Sequence, residues 1–98
     1  MPIELLTSGA QWSVVLDGVV DIFDAAALHA VALEAVAGAP EGVAVTLGGV
    51  TLIDTAVTQV LLALKRALAG SGRTWVLDEV PPSVLETWTL AGLGNEFT

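Results

Sequence analysis

The residues with the clearest chemical potential are the pair Asp54-Thr55, which follows the apolar segment Val50 to Ile53. Apolar residues then recur at helical spacing from Val57 to Leu68, so the pair lies where a helix begins. Asp and Thr are common cap residues, because their side-chain oxygens accept hydrogen bonds from the free N–H groups of the first turn. The same N–H groups and the helix dipole would tolerate a phosphate on the Thr55 hydroxyl. The pair is therefore either an ordinary helix cap or part of a binding surface that phosphorylation of Thr55 could regulate.

The other residue combinations that catalysis needs are missing from the sequence. His29 is the only histidine and there is no cysteine, so neither a metal site nor thiolate chemistry is indicated. The segment Gly70-Ser71-Gly72 resembles a phosphate loop, but no Lys-Ser or Lys-Thr pair follows it. No nucleophile is paired with a base. We predict that the chain is not an enzyme and has no catalytic residues, no cofactor and no metal.

Composition narrows the class of partner. The net charge is −8, with 11 acidic residues against three basic ones, so nucleic acids and anionic membranes would repel the chain. No apolar run reaches the roughly 18 residues of a membrane-spanning helix, and no signal peptide is visible at the N-terminus. Hydrophobic residues make up 54% of the chain, which leaves some of them for a contact surface. We expect a cytoplasmic protein that binds other proteins, without nucleic-acid binding or membrane insertion.

Short apolar runs alternate with segments of helical periodicity along the chain. We predict strands at residues 3–6, 12–16, 43–47, 50–53 and 74–77, with Gly48-Gly49 interrupting the third run. The predicted helices begin at Asp24, at Asp54 or Thr55, and at Pro82. The order β-β-α-β-α-β-α predicts one α/β domain over residues 1–98 with a largely parallel sheet. In the second helix Thr58 is expected to be exposed.

Several segments resemble the STAS domain family in order and spacing. Thr51 to Thr55, followed by an amphipathic helix, resembles the family's strand that ends in an apolar residue, Asp and a phosphorylatable Ser or Thr. Leu16 to Asp21 resembles its Leu-x-Gly-x-x-Asp stretch before the first helix. Gly72 to Leu77, Val80-Pro81 and Leu90 to Leu93 are similar to its last strand, turn and final helix. The resemblance implies a mostly parallel or mixed sheet of four to five strands with three to four helices.

The same resemblance implies a function and a set of site residues. STAS domains related to anti-sigma-factor antagonists are bacterial partner-switching modules, and they bind an anti-sigma factor or a related serine-threonine kinase. The expected phosphorylation site is Thr55, and the expected partner-binding residues are Asp54, Thr55, Ala56, Thr58 and Asp21.

The motif departs from the antagonist pattern, which leaves an alternative open. After Asp54-Thr55 the chain reads Ala56-Val57, where antagonists commonly have Ser or Thr and then Gly. A threonine followed by an apolar residue and Val is similar to stressosome STAS domains, and the Asp54-Thr55 pair is also similar to the STAS subunit of phospholipid-transport ABC complexes. The transport alternative implies docking on an ABC ATPase without phosphorylation. The high apolar content also allows a homodimer.

Overall fold

The computed structural model describes residues 2–7 and 9–97. Within them the elements follow the predicted order: β1 (Ile3–Leu6), β2 (Gln11–Val20), α1 (Ile22–Gly38), β3 (Gly42–Ile53), α2 (Thr55–Gly70), β4 (Thr74–Asp78) and α3 (Pro82–Leu90). The segment Thr7-Ser8-Gly9-Ala10 predicts a turn between the first two strands, and its Ser8 lies outside the described residues.

The sheet has the strand order β1-β2-β3-β4. β1 is antiparallel to β2, whereas β2, β3 and β4 run parallel to one another. Because helices follow the three parallel strands, α1, α2 and α3 all begin at the edge of the sheet where those strands end. The prediction of a mostly parallel or mixed sheet of four to five strands with three to four helices is confirmed, since the described part of the chain has a mixed sheet of four strands and three helices.

The hydrophobic core lies between one face of the sheet and the helices. Val14, Val45 and Leu77 lie side by side in register, and Val14 and Val45 are fully buried. The helical residues Leu28 and Leu61 are also fully buried in the same cluster. Burying an aliphatic side chain of this size contributes about 1.5–3 kcal/mol, so this layer holds the helix N-termini against the sheet.

Two predicted boundaries were wrong. β3 is a single strand and is not interrupted at Gly48-Gly49. A Cβ atom on Gly48 would lie 2.6 Å from the Glu79 carboxylate, and one on Gly49 would collide with the Asp17 carboxylate. Glycine therefore makes room for neighbouring side chains here, while the pairing with β2 continues through a register shift.

The first helix is capped by Asp21 and not by Asp24. The Asp21 side chain accepts a hydrogen bond from the Phe23 N–H, and the Asp24 side chain accepts one from the Asp21 N–H, both at 3.0 Å. Together they form a capping box, in which Asp24 is the third helical residue. The pattern could not separate the two aspartates because both are acceptable cap residues.

Within the described residues no helix combines the length and the apolar character needed to cross a membrane.

Candidate functional site

The N-termini of α1 and α2 lie side by side, because β2 and β3 are parallel neighbours that end together. Val20 and Ile53 pair in register at the ends of these strands. The Asp54 N–H then donates to the Val20 carbonyl at 3.3 Å, which holds the cap of α2 against the end of β2. Asp21 follows Val20 directly, so two of the predicted partner-binding residues, Asp21 and Asp54, are brought to one edge.

Asp54 is the cap of α2, and Thr55 is its first helical residue. The Asp54 side chain accepts from the Val57 N–H at 3.0 Å, which satisfies one free donor of the first turn. Asp54 and Ala56 are half-buried, whereas Thr55 is exposed. A kinase or a docked protein could therefore reach the Thr55 hydroxyl without unfolding the helix. Asp54 therefore caps the helix while Thr55 remains accessible, so the two interpretations of the pair are compatible.

The prediction of an exposed Thr58 was wrong. Thr58 is only 2% exposed, and its hydroxyl donates to the Asp54 carbonyl at 2.8 Å. The same oxygen accepts from the Trp88 indole N–H at 3.0 Å. Because both of these contacts are internal, the Thr58 side chain offers nothing to a partner or to a kinase in this structure. Trp88, which contacts the Thr58 hydroxyl, belongs to α3 and lies 30 residues further along the chain.

Four exposed apolar side chains lie at this edge of the sheet, and none of them was identified from the sequence. We call them the edge patch: Val19, Ile22, Phe23 and Leu52. Val19 and Leu52 are register partners on β2 and β3 and are 51% and 54% exposed. Ile22 and Phe23 begin α1 and are 65% and 89% exposed. Large apolar groups concentrated beside an accessible hydroxyl are typical of a protein-contact surface. The sequence feature that could have indicated this patch is the apolar pair Ile22-Phe23 directly after the cap residue Asp21.

Charge is distributed unevenly around the site. Asp21, Asp24 and Asp54 lie at the N-termini of α1 and α2. The chain's basic residues lie elsewhere: Lys65 and Arg66 are in the later turns of α2, about 15 Å along the helix from Thr55. Arg73 precedes β4 at the opposite edge and donates to the Ala39 carbonyl at 3.0 Å. A phosphate on Thr55 would therefore meet the helix N-terminus but no Lys or Arg side chain of the described chain.

The described residues contain no group of three or more His, Cys, Asp or Glu side chains arranged to hold a metal ion. A cleft of about 300 Å³ lies near Glu4, Asp17 and Glu79, beside the glycines of β3. Its polar side chains are these three carboxylates and Thr46, and Thr55 does not line it. The candidate site offers exposed apolar side chains, half-buried carboxylates and the accessible Thr55 hydroxyl.

A family model described as "Mlab, STAS domain" matches residues 4–97, which is nearly the whole chain. The chain belongs to the STAS domain family. The resemblance inferred from the motifs around Asp54-Thr55 and from Leu16 to Asp21 is thereby confirmed. No curated protein matches the sequence.

Solved STAS structures share the fold at low sequence identity. The unphosphorylated form of the anti-sigma factor antagonist SpoIIAA superposes with a TM-score of 0.81 at 17% identity, covering 98% of this chain and 85% of SpoIIAA. A putative anti-sigma factor antagonist from Thermotoga maritima also gives 0.81, at 14% identity, covering 95% of this chain and 80% of its own. RsbS from Moorella thermoacetica, in a serine-to-glutamate variant, gives 0.77 at 22% identity, with coverage of 95% and 80%. At these identities the likeness shows the fold alone.

Proposed function

We propose that this STAS domain is a non-enzymatic partner-switching module that binds a protein at the edge patch and at the first turn of α2, residues 54–58, which we call the Thr55 turn. The observation that carries the proposal is the exposed Thr55 hydroxyl at a capped helix N-terminus, next to exposed apolar side chains. Among the described residues, Phe23 is the most exposed of the large hydrophobic side chains, at 89%. A partner that covers it would gain hydrophobic stabilisation and place Thr55 within the contact.

Phosphorylation of Thr55 is the proposed switch. A phosphate adds about −1.5 to −2 charges. Because the nearby side chains of Asp21, Asp24 and Asp54 are acidic and no Lys or Arg of the described chain lies beside Thr55, the added charge would face the partner unneutralised. Burying it in the contact would cost desolvation, and any acidic group of the partner would repel it. The similar fold of SpoIIAA, solved in both unphosphorylated and phosphorylated forms, supports a switch of this kind.

The proposed partner is an anti-sigma factor or a related serine-threonine kinase. Three observations support this proposal. They are the fold shared with anti-sigma factor antagonists, the Asp54-Thr55 motif, and the acidic residues at the start of α1 and α2. The exposed side chains of the edge patch predict an apolar partner surface, which could not compensate a charge placed on Thr55.

A second function is favoured by the extent of the exposed apolar surface. Ile22 and Phe23 leave two large side chains in water, which is typical of a subunit with a permanent partner. In this alternative the domain docks on the ATPase of an ABC transporter, and Thr55 contributes a contact without being phosphorylated. The Asp54-Thr55 pair, which is similar to the motif of that STAS subunit, agrees with this alternative.

Affinity capture of the tagged chain from its native cell, with mass spectrometry of the bound proteins and of Thr55, tests both functions. An anti-sigma-type kinase together with phosphate on Thr55 supports the switch. An ABC ATPase with unmodified Thr55 supports the transport alternative. Self-association alone, without either partner, contradicts both.

Purified partner then allows a sharper comparison. For a switch, we expect Thr55→Asp to weaken binding by roughly tenfold or more, because an uncompensated charge buried in the contact loses its hydration, while Thr55→Ala binds normally. Thr89→Asp, which adds the same charge at an exposed position on α3, is the matched control and should have little effect. Equal weakening by Thr55→Asp and Thr55→Ala would indicate a steric contact and no switch.

A further inference from the structure

Thr58 holds the middle of a hydrogen-bond chain that the proposed switch does not use. Its hydroxyl oxygen lies 2.8 Å from the Asp54 carbonyl and 3.0 Å from the Trp88 indole nitrogen. An indole N–H can only donate, so the hydroxyl must accept from it and direct its own hydrogen to the carbonyl. The direction of the chain is therefore fixed from Trp88 through Thr58 to Asp54.

One end of this chain lies in the Thr55 turn. The Asp54 carbonyl belongs to the peptide group that leads into Thr55, and it also accepts from the Thr58 N–H at 3.0 Å. A negative charge on Thr55 would make this carbonyl a stronger acceptor. Because linked hydrogen bonds polarise one another by roughly 10–30% per bond, the change would reach the Trp88 indole.

The other end of the chain lies in α3 and the segment after it. Trp88 is 1% exposed, and its ring stacks on Phe97 with the ring centroids 4.1 Å apart. The Leu93 N–H donates to the Trp88 carbonyl at 2.8 Å. A change in the hydrogen bond of the Trp88 indole would therefore affect its packing with Leu93 and Phe97, near the C-terminal end of the described chain.

We propose that Thr58 is a positioning residue that couples the Thr55 turn to α3 and to the segment packed on Trp88. This inference rests on the proposed function, since it concerns how the Thr55 surface is regulated. Charge on Thr55 strengthens the hydrogen bond from Trp88 to Thr58 and holds α3 more firmly against α2. The position of α3 thus depends on the charge of Thr55 without direct contact between the two.

The indole N–H resonances of 15N-labelled protein test the coupling without a partner. We expect Thr55→Asp to move the Trp88 indole proton downfield, and the neutral control Thr55→Asn to move it less. Trp12, which lies at the opposite edge where it pairs with Val43, is the internal control and should not respond. In a Thr58→Val background the Trp88 response should be lost, and Thr58→Ser should restore it.

A Trp88 resonance that ignores Thr55→Asp, or that responds equally in the Thr58→Val background, would overturn the proposal. Thr58→Val leaves the buried indole N–H without its acceptor, so the folding equilibrium constant should fall roughly tenfold or more. If that variant does not fold, Trp88→Phe removes the same hydrogen bond from the other side, and the Leu93 amide serves as the reporter. Its response to Thr55→Asp should then disappear; a persisting response refutes the coupling.

Failure of the coupling is separable from failure of the proposed function. Partner affinity decides whether Thr55 controls binding, and the Trp88 resonance decides whether Thr58 transmits the charge. Thr55→Asp that weakens binding but leaves Trp88 unchanged would refute only the coupling. The reverse result would keep the coupling and refute the switch.

Discussion

Replacing Asp54 tests whether the site's carboxylate is first of all a helix cap. The Asp54 side chain accepts one hydrogen bond, from the Val57 N–H at 3.0 Å, at the start of α2. Loss of such a cap costs about 1 kcal/mol, within a range of about 0.5–2 kcal/mol. Asn retains the acceptor and loses only the charge at the helix N-terminus, which contributes about 0.3–1 kcal/mol. We therefore expect Asp54→Ala to destabilise the domain more than Asp54→Asn.

Urea unfolding and thermal melting measure the difference. For a domain of this size, 1 kcal/mol lowers the melting temperature by about 4–8 °C. Asp78→Ala is the matched control, because Asp78 is an exposed carboxylate at the end of β4 that caps no helix. Its free energy of unfolding should change by less than about 0.5 kcal/mol. If Asp54→Ala and Asp78→Ala have the same effect, the cap does not stabilise α2 and the reasoning is refuted.

Two further predictions compare pairs of like residues by chemical denaturation. Phe23→Ala should change the free energy of unfolding by less than about 0.5 kcal/mol, because Phe23 is 89% exposed; Phe97→Ala should cost about 3 kcal/mol or more, because Phe97 is 9% exposed and stacked on Trp88. Equal losses would contradict the assigned burial. Gly42→Ala should cost about 1–3 kcal/mol, because its Cβ would overlap the backbone of β4, whereas Gly70→Ala, with open space at the end of α2, should stabilise by up to about 1 kcal/mol. A Gly42→Ala variant no less stable than the parent would show that the close approach of β3 and β4 is unimportant.

The role of Asp54 bears directly on how binding data should be interpreted. An Asp54→Ala variant that binds poorly has lost both a carboxylate and a cap, so its defect is ambiguous. Asp54→Asn keeps the cap and removes only the charge. A partner that needs the carboxylate itself will distinguish Asn from Asp, whereas a partner that needs only an ordered Thr55 turn will not.

Much of the fold could be predicted because it depends on local patterns. The helical spacing from Val57 to Leu68 and the cap chemistry of Asp54-Thr55 placed the start of α2 correctly. Alternation of strands and helices was enough for a mostly parallel sheet. The family followed from motif order, and the match over residues 4–97 confirms it.

The errors arose where a residue's environment depends on distant parts of the chain. Gly48-Gly49 indicated a break, yet β2 runs alongside and its pairing with β3 continues past the glycines. No prediction was made for Phe23, whose ring is exposed because α1 begins at the rim of the sheet. Its exposure could not be predicted because it depends on which elements stand nearby.

By itself the sequence determined the order of elements, the family and the position of Thr55 at the start of a helix, since these depend on side-chain periodicity and on capping over a few residues. Only the tertiary structure decided that Thr58 is buried, because its hydroxyl partner Trp88 lies 30 residues away. It also brought Asp21 beside Asp54, through the parallel pairing of β2 and β3. Contacts between residues far apart in the chain carry no local pattern, so the surface around Thr55 exists only once the sheet has formed.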